Sequence, residues 1–365
     1  MRVNRISFNS SIFDTKAKRE NLYKSPVNDS YSHISFLGGT GADGNRMRKR
    51  LGGMNCPCCG IKMLTQRDIK MALANPPDAP SSDVIPILKR YEDQMHSVER
   101  DALYTLKVLS KENPNCNLRQ LLDIVRDEHL AFLRDDEFRI IERIKCVGAF
   151  LSPDSKDKLE KTIQEAEDEI LDGDYDSAFK RRAFIGKIGD VISTLPEKDA
   201  ALTIFEIAHE MPRAGDNISA FVVKFSEKNP ATGLERNSHD IIRALMVPSL
   251  ATVEHVRARS PLAKNGGGVN LMKNYIIECL RDNNMRDCMP FRDFVKKNPQ
   301  FFGDNIQKYI DVIIERLNRG ELRGFELYPL QISRTLRRQT KGIIKLDISS
   351  LRTMQPYQDN YKFSR

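Results

Sequence analysis

Apolar residues recur at helical spacing through the long middle of the chain, residues 66–247. Leu118, Leu121, Leu122 and Val125 occupy positions i, i+3, i+4 and i+7, which line up on one face of a helix. Prolines and glycines interrupt this region often enough to divide it into helices of ordinary length. The pattern therefore predicts an α-helical domain of several packed helices over residues 66–247.

After residue 247 the chain changes from long helical patterns to short segments. Residues 252–256 are rich in β-branched side chains, which favour a strand, and residues 265–268 (Asn-Gly-Gly-Gly) are typical of a turn. Residues 274–278 form the candidate returning strand, and a helix is expected after it, near Asn283 or Pro290. The order predicts a compact unit of two strands and a helix within a mainly helical chain.

The two ends of the chain have different patterns. Residues 1–53 are rich in Ser, Asn, Gly and Arg and show little periodicity, which predicts a disordered basic tail with a basic patch at 46–50. Within residues 299–365, one helix is clear, with Asp304 as its expected cap and Gly320 as its expected stop. Its apolar face consists of Ile306, Tyr309, Ile310, Ile313, Ile314 and Leu317. We expect residues 299–365 to form a helical and basic extension.

Composition narrows the class of protein. Hydrophobic residues make up 40% and charged residues 30% of the 365 positions, which is typical of a soluble globular protein. The sequence has neither a long apolar run nor a signal-peptide core, so we expect no membrane contact and a cytoplasmic location. The grouping of Cys56, Cys58 and Cys59 favours metal binding in a reducing compartment over a disulfide framework.

Charge is distributed unevenly around the net value of +8. Residues 1–55 carry ten Lys and Arg against four Asp and Glu, or +6, and residues 256–365 carry twenty-one against eleven, or +10, which leaves −8 for the middle. Basic ends favour contact with a polyanion. The acidic helical domain is a candidate surface for a protein partner. The simpler interpretation is that the charge only keeps the protein soluble.

Four polar residues fall within the strand–turn–strand–helix unit in a suggestive order. Glu254 and His255 stand side by side in the first predicted strand, Asn274 opens the second, and Asn283 lies where the helix is expected. This order resembles the HNH nuclease family, whose ββα-metal fold has the same layout and carries an acid–histidine pair in its first strand.

Other features of that family recur in the same order. A basic segment with a serine, residues 257–260, follows the acid–histidine pair, and the glycine turn at 266–268 comes next. Asn274 is followed after four residues by a partial Cys-x-x-Cys pattern at 279–282, with Asn283 adjoining it. The resemblance is therefore to a series of features and not to a single pair of residues.

The resemblance implies a role for each residue. His255 would be the general base that takes a proton from the attacking water, since histidine titrates near neutrality. Glu254 and Asn283 would hold Mg²⁺ or Mn²⁺ through oxygen atoms, which these hard cations prefer. Asn274 would orient the loop that holds His255. The implied activity is metal-dependent hydrolysis of DNA phosphodiester bonds by an endonuclease.

The family often carries a structural zinc ion held by two Cys-x-x-Cys knuckles. Cys56 and Cys59 match the first knuckle, and Cys279 opens the second. Asp282 stands where the last cysteine is expected, and structural zinc favours Cys and His over Asp. These four residues are therefore the candidate zinc ligands, with one departure from the family pattern.

The departure at Asp282 leaves several alternatives open. The zinc site is weak, recruits Cys58 or Cys288, or is not used at all. The same departure motivates an alternative function, a nucleic-acid-binding protein that has lost catalysis. A further alternative makes the helical domain a protein-interaction module.

The expected fold class is mainly α with a small α+β element. An HNH core built from residues 54–65 and 248–298 would be split by the α-helical insertion domain at 66–247. The tail, residues 1–53, and the extension, residues 299–365, would flank it.

Overall fold

The computed structural model describes residues 41–171, 177–211, 217–229, 232–257, 268–286 and 289–352. Helices make up most of this part of the chain, and two antiparallel strands form a small sheet. The expected class, mainly α with a small α+β element, is confirmed. Among the residues described, no helix is both long and apolar enough to cross a membrane.

The helices and strands follow one another in this order: α1 (Gly41–Leu51), α2 (Gln66–Ala72), α3 (Ser81–Lys89), α4 (Ser97–Glu112), α5 (Leu118–Ile124), α6 (Arg126–Gly148), α7 (Pro153–Leu171), α8 (Ser177–Ser193), α9 (Lys198–Ala208), α10 (Ile218–Ser226), α11 (Ser238–Met246), β1 (Ala251–His255), β2 (Tyr275–Cys279), α12 (Leu280–Arg286), α13 (Phe291–Lys297), α14 (Pro299–Phe302), α15 (Asn305–Asn318) and α16 (Tyr328–Gln339). Short 3₁₀ turns occur at Glu92–Gln94, Val247–Ser249 and Met272–Asn274.

Several sequence expectations concern residues outside the described ranges. They are residues 1–40 of the tail, residues 258–260 of the basic segment, residues 265–267 of the glycine turn, Cys288, and residues 353–365.

Three helices of the middle region begin with a capping box, in which polar side chains replace the missing hydrogen-bond partners of the first turn. In α2, α5 and α11, the N-cap side chain and the side chain three residues later both accept a backbone N–H. The pairs are Thr65–Asp68, Asn117–Gln120 and Asn237–Asp240. These local signals fix the helix starts independently of tertiary packing.

The predicted helical domain contains two hydrophobic cores. One is formed by α2 to α5 with α10 and α11, and Leu106, Leu122 and Leu245 are fully buried in it. The other is formed by α6 to α9 and one side of α10, around Ile144 and Ile204. Helix α10 contributes to both cores because it is buried on more than one face.

A third core holds the predicted nuclease unit together with both flanking segments. Met47 and Leu51 of α1 are fully buried in it, so the expectation of a tail without regular structure is wrong for residues 41–51. Ile310 and Ile313 of α15 are buried in the same core, so residues 299–352 pack onto the unit and do not form a separate extension. Burial of these apolar faces, at roughly 25 cal/mol per Å² of surface, stabilises the sheet, which is too small to be stable alone.

Helix α15 begins and ends where its sequence indicates. Asp304 occupies the N-cap position, but its side chain makes no capping hydrogen bond. Gly320, at a φ of +74°, follows the end of the helix in the left-handed conformation that glycine adopts without strain. The end of the helix therefore depends on Gly320, whereas its start is not capped by the side chain of Asp304.

The two strands form the hairpin that positions the candidate site. Ala251 pairs with Cys279 and His255 with Tyr275, so both predicted strands are confirmed with a shift of one residue each. The segment before α2 lies beside the start of the first strand and forms a parallel bridge with it, in which the Ala251 amide donates to the Leu64 carbonyl at 2.9 Å. The segment 54–64 and the hairpin thus adjoin although the long helical region separates them in sequence.

Candidate functional site

The first cysteine segment forms a tight turn stabilised by backbone hydrogen bonds. The Cys56 amide donates to the Ile61 carbonyl at 2.7 Å, and the Gly60 amide donates to the Cys56 carbonyl at 2.9 Å. Gly60 has a φ of +79°, and a Cβ atom there would lie 3.0 Å from Oδ1 of Asn305. Asn305 also donates its Nδ2 to the Cys58 carbonyl at 3.0 Å, so α15 supports the turn from outside.

The turn brings Cys56 and Cys59 against Cys279 and Asp282, at the point where β2 passes into α12. The candidate ligand atoms of these four residues all lie within 4.8 Å of one another. The Cys59 and Cys279 sulfurs are 3.8 Å apart, and Oδ2 of Asp282 lies 3.0 Å from the Cys56 sulfur and 3.2 Å from the Cys279 sulfur. The predicted four-residue set therefore converges despite the long intervening helical region.

Burial and mutual contact shift the pKa values of this cluster in opposite directions. Burial alone would raise the pKa of Cys56, but hydrogen bonds from Cys279 and its neighbours in the turn lower it well below its usual value. Burial first, and then Cys59, raise the pKa of Asp282 to about 7. Burial also raises the pKa of Cys279 well above normal. Ionising all four groups here is costly unless a cation offsets their charge.

The donor set suits a metal ion. Zinc takes thiolate ligands at about 2.3 Å in tetrahedral geometry, which sets the separation of two such sulfurs at roughly 3.8 Å. The separation of Cys59 and Cys279 equals this value. Three thiols and one carboxylate therefore form a site that could hold a metal ion such as zinc.

His96 adds a contact to this cluster that sequence reasoning missed. It stands at the N-cap position of α4 but makes no capping hydrogen bond, and its Nε2 lies 3.5 Å from the Cys279 sulfur. Burial, followed by the nearby Arg281 charge, lowers the pKa of His96, which favours the neutral ring. The only sequence signal was a histidine at a helix start, where Ser, Thr, Asp or Asn is usual.

Cys58 lies beside the cluster but faces another partner. Its sulfur donates to Oε2 of Glu278 at 3.0 Å, and both side chains are fully buried. Burial raises the pKa of Cys58 and that of Glu278 well above their ordinary values. Oε1 of Glu278 has no hydrogen-bond partner among the described residues. Cys58 thus borders Cys56 of the candidate ligand set while its thiol is hydrogen-bonded to a carboxyl outside that set.

The candidate acid, Glu254, is buried and forms an ion pair with Arg286 of α12. Arg286 also donates to the His255 carbonyl at 2.6 Å and to the Met289 carbonyl at 3.2 Å, and it lies over the Phe291 ring. A cation binding at Glu254 would share the carboxylate with this guanidinium. The donor set for Mg²⁺ is consequently less favourable than the sequence alone suggests.

Asn283 lies on the same helix one turn before Arg286 and contacts β1. Its Nδ2 donates to Oγ1 of Thr252 at 3.1 Å and to the Val253 carbonyl at 3.3 Å. Both hydrogen bonds use the nitrogen of the amide, and among the described residues its oxygen has no hydrogen-bond partner. The Asn283 amide on the helix therefore contacts the strand that carries Glu254 and His255. Among the described residues, no direct contact joins Asn283 to Glu254 or His255.

His255 is half-buried at the end of the hairpin where the connecting loop begins. Its Nε2 lies 2.9 Å from Oδ1 of Asn270, and its ring packs edge-on against Tyr275 at 4.8 Å. Because an amide oxygen only accepts hydrogen bonds, Nε2 carries the proton and Nδ1 is the basic nitrogen of the neutral ring. Asn270 is thus a second residue of the site that sequence reasoning missed.

Asn274 is buried and joins the two sides of the loop between the strands. Its Oδ1 accepts the Arg257 amide at 2.9 Å, and its Nδ2 donates to the carbonyls of Arg257 and Val269 at 3.1 and 3.2 Å. Gly268 lies so close to the Arg257 carbonyl that a Cβ atom there would overlap it. These contacts fix the chain directly after His255.

No protein-family model, curated protein or solved structure matches the chain. The resemblance to HNH nucleases therefore depends on the residues and their geometry alone.

Proposed function

We propose that the protein is a metal-dependent endonuclease of the HNH type that hydrolyses DNA phosphodiester bonds. The observation that carries the proposal is the hydrogen bonding of Asn283 to β1, the strand that ends in Glu254 and His255. These bonds hold a side chain of the helix against the strand that ends in the acid–histidine pair, which supports the order of the family motif. The further contacts of Asn274 and Asn270 support an ordered site around His255.

In this proposal the chain's own residues position and deprotonate the nucleophile. Nδ1 of His255 accepts a proton from a water molecule, while Asn270 and Tyr275 keep the ring in place. Asn274 holds the loop after His255. Glu254 and the Asn283 oxygen would hold Mg²⁺, which supplies charge stabilisation to the phosphate when bound.

Nicking of supercoiled plasmid with and without added Mg²⁺ or Mn²⁺ tests the proposal. We expect His255→Ala to abolish nicking, and His209→Ala, an exposed histidine of the helical region, to leave it unchanged. Strong chelators are avoided, because they would also strip a structural metal. If wild type fails to nick with either cation while it remains folded, the proposal is wrong.

We also propose that Cys56, Cys59, Cys279 and Asp282 hold a structural zinc ion. The 3.8 Å sulfur separation and the burial of the set support zinc over a hard cation. Elemental analysis of purified protein should give one zinc per chain. Cys59→Ser should lose it, and Cys58→Ser should retain it, since Cys58 lies next to the ligands but outside the set. Equal zinc content in both variants would contradict the assignment.

One observation favours a second function, nucleic-acid binding without catalysis. The Arg286 guanidinium already neutralises Glu254, so a metal ion must compete with it for the carboxylate. This alternative predicts salt-dependent DNA binding that His255→Ala leaves unchanged and no metal-dependent nicking by either protein.

A further inference from the structure

A stripe of five cations covers the exposed side of the last helix. Arg334, Arg337 and Arg338 lie on α16, and Lys341 and Lys345 follow it, around an open groove. Arg334, Arg337 and Arg338 occupy positions i, i+3 and i+4 of α16, so they share one exposed face, opposite the buried Ile332 and Leu336. Lys341 and Lys345 lie after the helix and line the same groove. None of the five side chains has an ion-pair partner among the described residues.

The composition around the stripe differs from that of other helices in the protein. No Asp or Glu occurs between Leu327 and Leu346. Some exposed cations on other helices pair with an acid one turn away, as Arg319 does with Glu315 at 2.7 Å and Lys156 with Glu160 at 3.6 Å. A helix C-terminus attracts cations, but this effect is confined to the last turn and does not cover Arg334 or Lys345. Like charges at this spacing repel one another, so the stripe is unfavourable without an anionic ligand.

The backbone at Lys341 shows a second local cost. Its φ is 52°, a left-handed conformation in which glycine or asparagine is usual after a helix. Gly342, the next residue, shares this conformation at φ 82°. A lysine therefore occupies a position that glycine would fill with less strain, and its charge lines the groove.

Helix α16 is attached to the end of the hairpin that carries His255. Oγ1 of Thr335 donates to the Lys273 carbonyl at 2.8 Å, directly before β2. The Tyr328 hydroxyl donates to the carbonyl of Tyr275, which is the cross-strand partner of His255, at 3.1 Å. The helix that carries the stripe thus contacts the segment that positions the candidate base.

We propose that Arg334, Arg337, Arg338, Lys341 and Lys345 form the surface that binds the sugar-phosphate backbone of duplex DNA. The inference rests on the proposed function, for which it names the DNA-contacting surface. At about 1.5 Å per residue, the helical stretch from Arg334 to Arg338 covers roughly 6 Å, which compares with a rise of about 3.4 Å per phosphate along one strand. Lys341 and Lys345 extend the row of charges beyond the helix. The stripe therefore spans several phosphates and makes contacts independent of sequence.

The experiment measures binding of the full chain to a short fluorescent duplex over a series of salt concentrations. His255→Ala is the parent protein and no Mg²⁺ is added, so that cleavage cannot interfere. The triple variant Arg334→Gln, Arg337→Gln, Arg338→Gln should bind at least about tenfold more weakly, and its slope of log K against log salt should fall by roughly 3. Unchanged affinity and slope would overturn the inference.

A charge-matched control separates the stripe from a general loss of positive charge. Lys156, Lys158 and Lys161 are exposed on α7, and their triple change to Gln should leave binding almost unaltered. Lys341→Gly separates binding from folding, because it should raise stability through relief of the left-handed strain while it weakens DNA binding. If both triple variants lose the same affinity, the stripe is not a specific surface and the inference fails.

Two further measurements distinguish this inference from the proposed function. Vesicles of phosphatidylserine and phosphatidylcholine should not compete with the duplex, and preferential binding to them would overturn the assignment to DNA. Plasmid nicking is measured separately, with protein that keeps His255. If the protein nicks plasmid but the triple variant of the stripe binds DNA as well as its parent, only the inference about the surface is wrong. If the triple variant loses DNA binding but the protein does not nick plasmid, the surface is supported and only the proposed nuclease activity is wrong.

Discussion

The guanidinium of Arg286 pairs with the carboxylate of Glu254, and both side chains are nearly inaccessible to solvent. The same guanidinium donates to the His255 carbonyl, so one arginine connects α12 to the end of β1. The acid that the sequence presents as a metal ligand is therefore also part of the packing of the unit.

Removal of Arg286 should destabilise the protein strongly. Arg286→Met leaves the buried Glu254 carboxylate without its counter-charge, and breaking such a pair costs about 3–5 kcal/mol. Urea unfolding measures the loss. Arg319→Met is the matched control, since Arg319 pairs with Glu315 on the surface, where the expected cost is about 0–1 kcal/mol. Similar losses of unfolding free energy in the two variants would show that burial does not make this ion pair more important for stability than a surface pair.

His96 should strengthen metal binding through its contact with Cys279. Substitution of a residue that contacts a metal ligand typically lowers the affinity for the metal by about 10–100-fold, and we expect His96→Ala to weaken zinc binding by that amount. Competition with a chromophoric chelator measures the affinity. His239→Ala is the control, because this histidine contacts the Asn75 carbonyl at 2.7 Å, among the same helices. Unaltered affinity in His96→Ala would mean that the 3.5 Å contact is only packing.

Asn270 should act as a positioning residue for His255. Asn270→Ala frees the ring and should lower the nicking rate by about tenfold or more, since the loss of orientation raises the barrier. Asn270→Asp should instead move the acidic limb of the pH–rate profile to higher pH, because a carboxylate beside the ring favours the imidazolium form, which accepts no proton. Asn284→Ala, at an exposed position of α12, is the control. A profile that stays in place in Asn270→Asp would contradict the role.

Glu197 should contribute stability that disappears in acid. Its Oε1 accepts the Ser152 amide at 2.9 Å and its Oε2 accepts the Ser155 hydroxyl at 3.0 Å, at the start of α7. Hydrogen bonds from Ser152, the largest cause, lower the pKa of Glu197 to about 2. Because the folded pKa lies below the unfolded one, near 4.5, the contribution is fully present above 4.5 and is lost as the pH falls towards 2.

The test compares wild type with Glu197→Gln by urea unfolding across this pH window. The difference in the free energy of unfolding should be greatest above pH 4.5 and should shrink as the pH falls towards 2. Glu206→Gln, at an exposed position of α9, is the matched control for the substitution itself. A Glu197→Gln difference that is independent of pH would rule out the ionised hydrogen-bond acceptor as its origin.

Local signals in the sequence determined the main elements and the candidate ligands. The apolar spacing predicted the helices of the middle region and α15, and the β-branched segments predicted both strands to within one residue. The cysteine pattern indicated Cys56, Cys59, Cys279 and Asp282, which the fold brings within 4.8 Å. These features were predictable because helix periodicity, strand propensity and ligand spacing are all encoded over a few neighbouring residues.

Tertiary structure alone decided the contacts between distant segments. The sequence did not indicate that α1 and α15 would pack with the hairpin, that the helical region would form two cores, or that Arg286 would neutralise Glu254. His96 and Asn270 reach the candidate sites from outside the motif. Such contacts follow from packing and from the need to compensate buried charges and polar groups, and no local pattern specifies which distant residue meets that need.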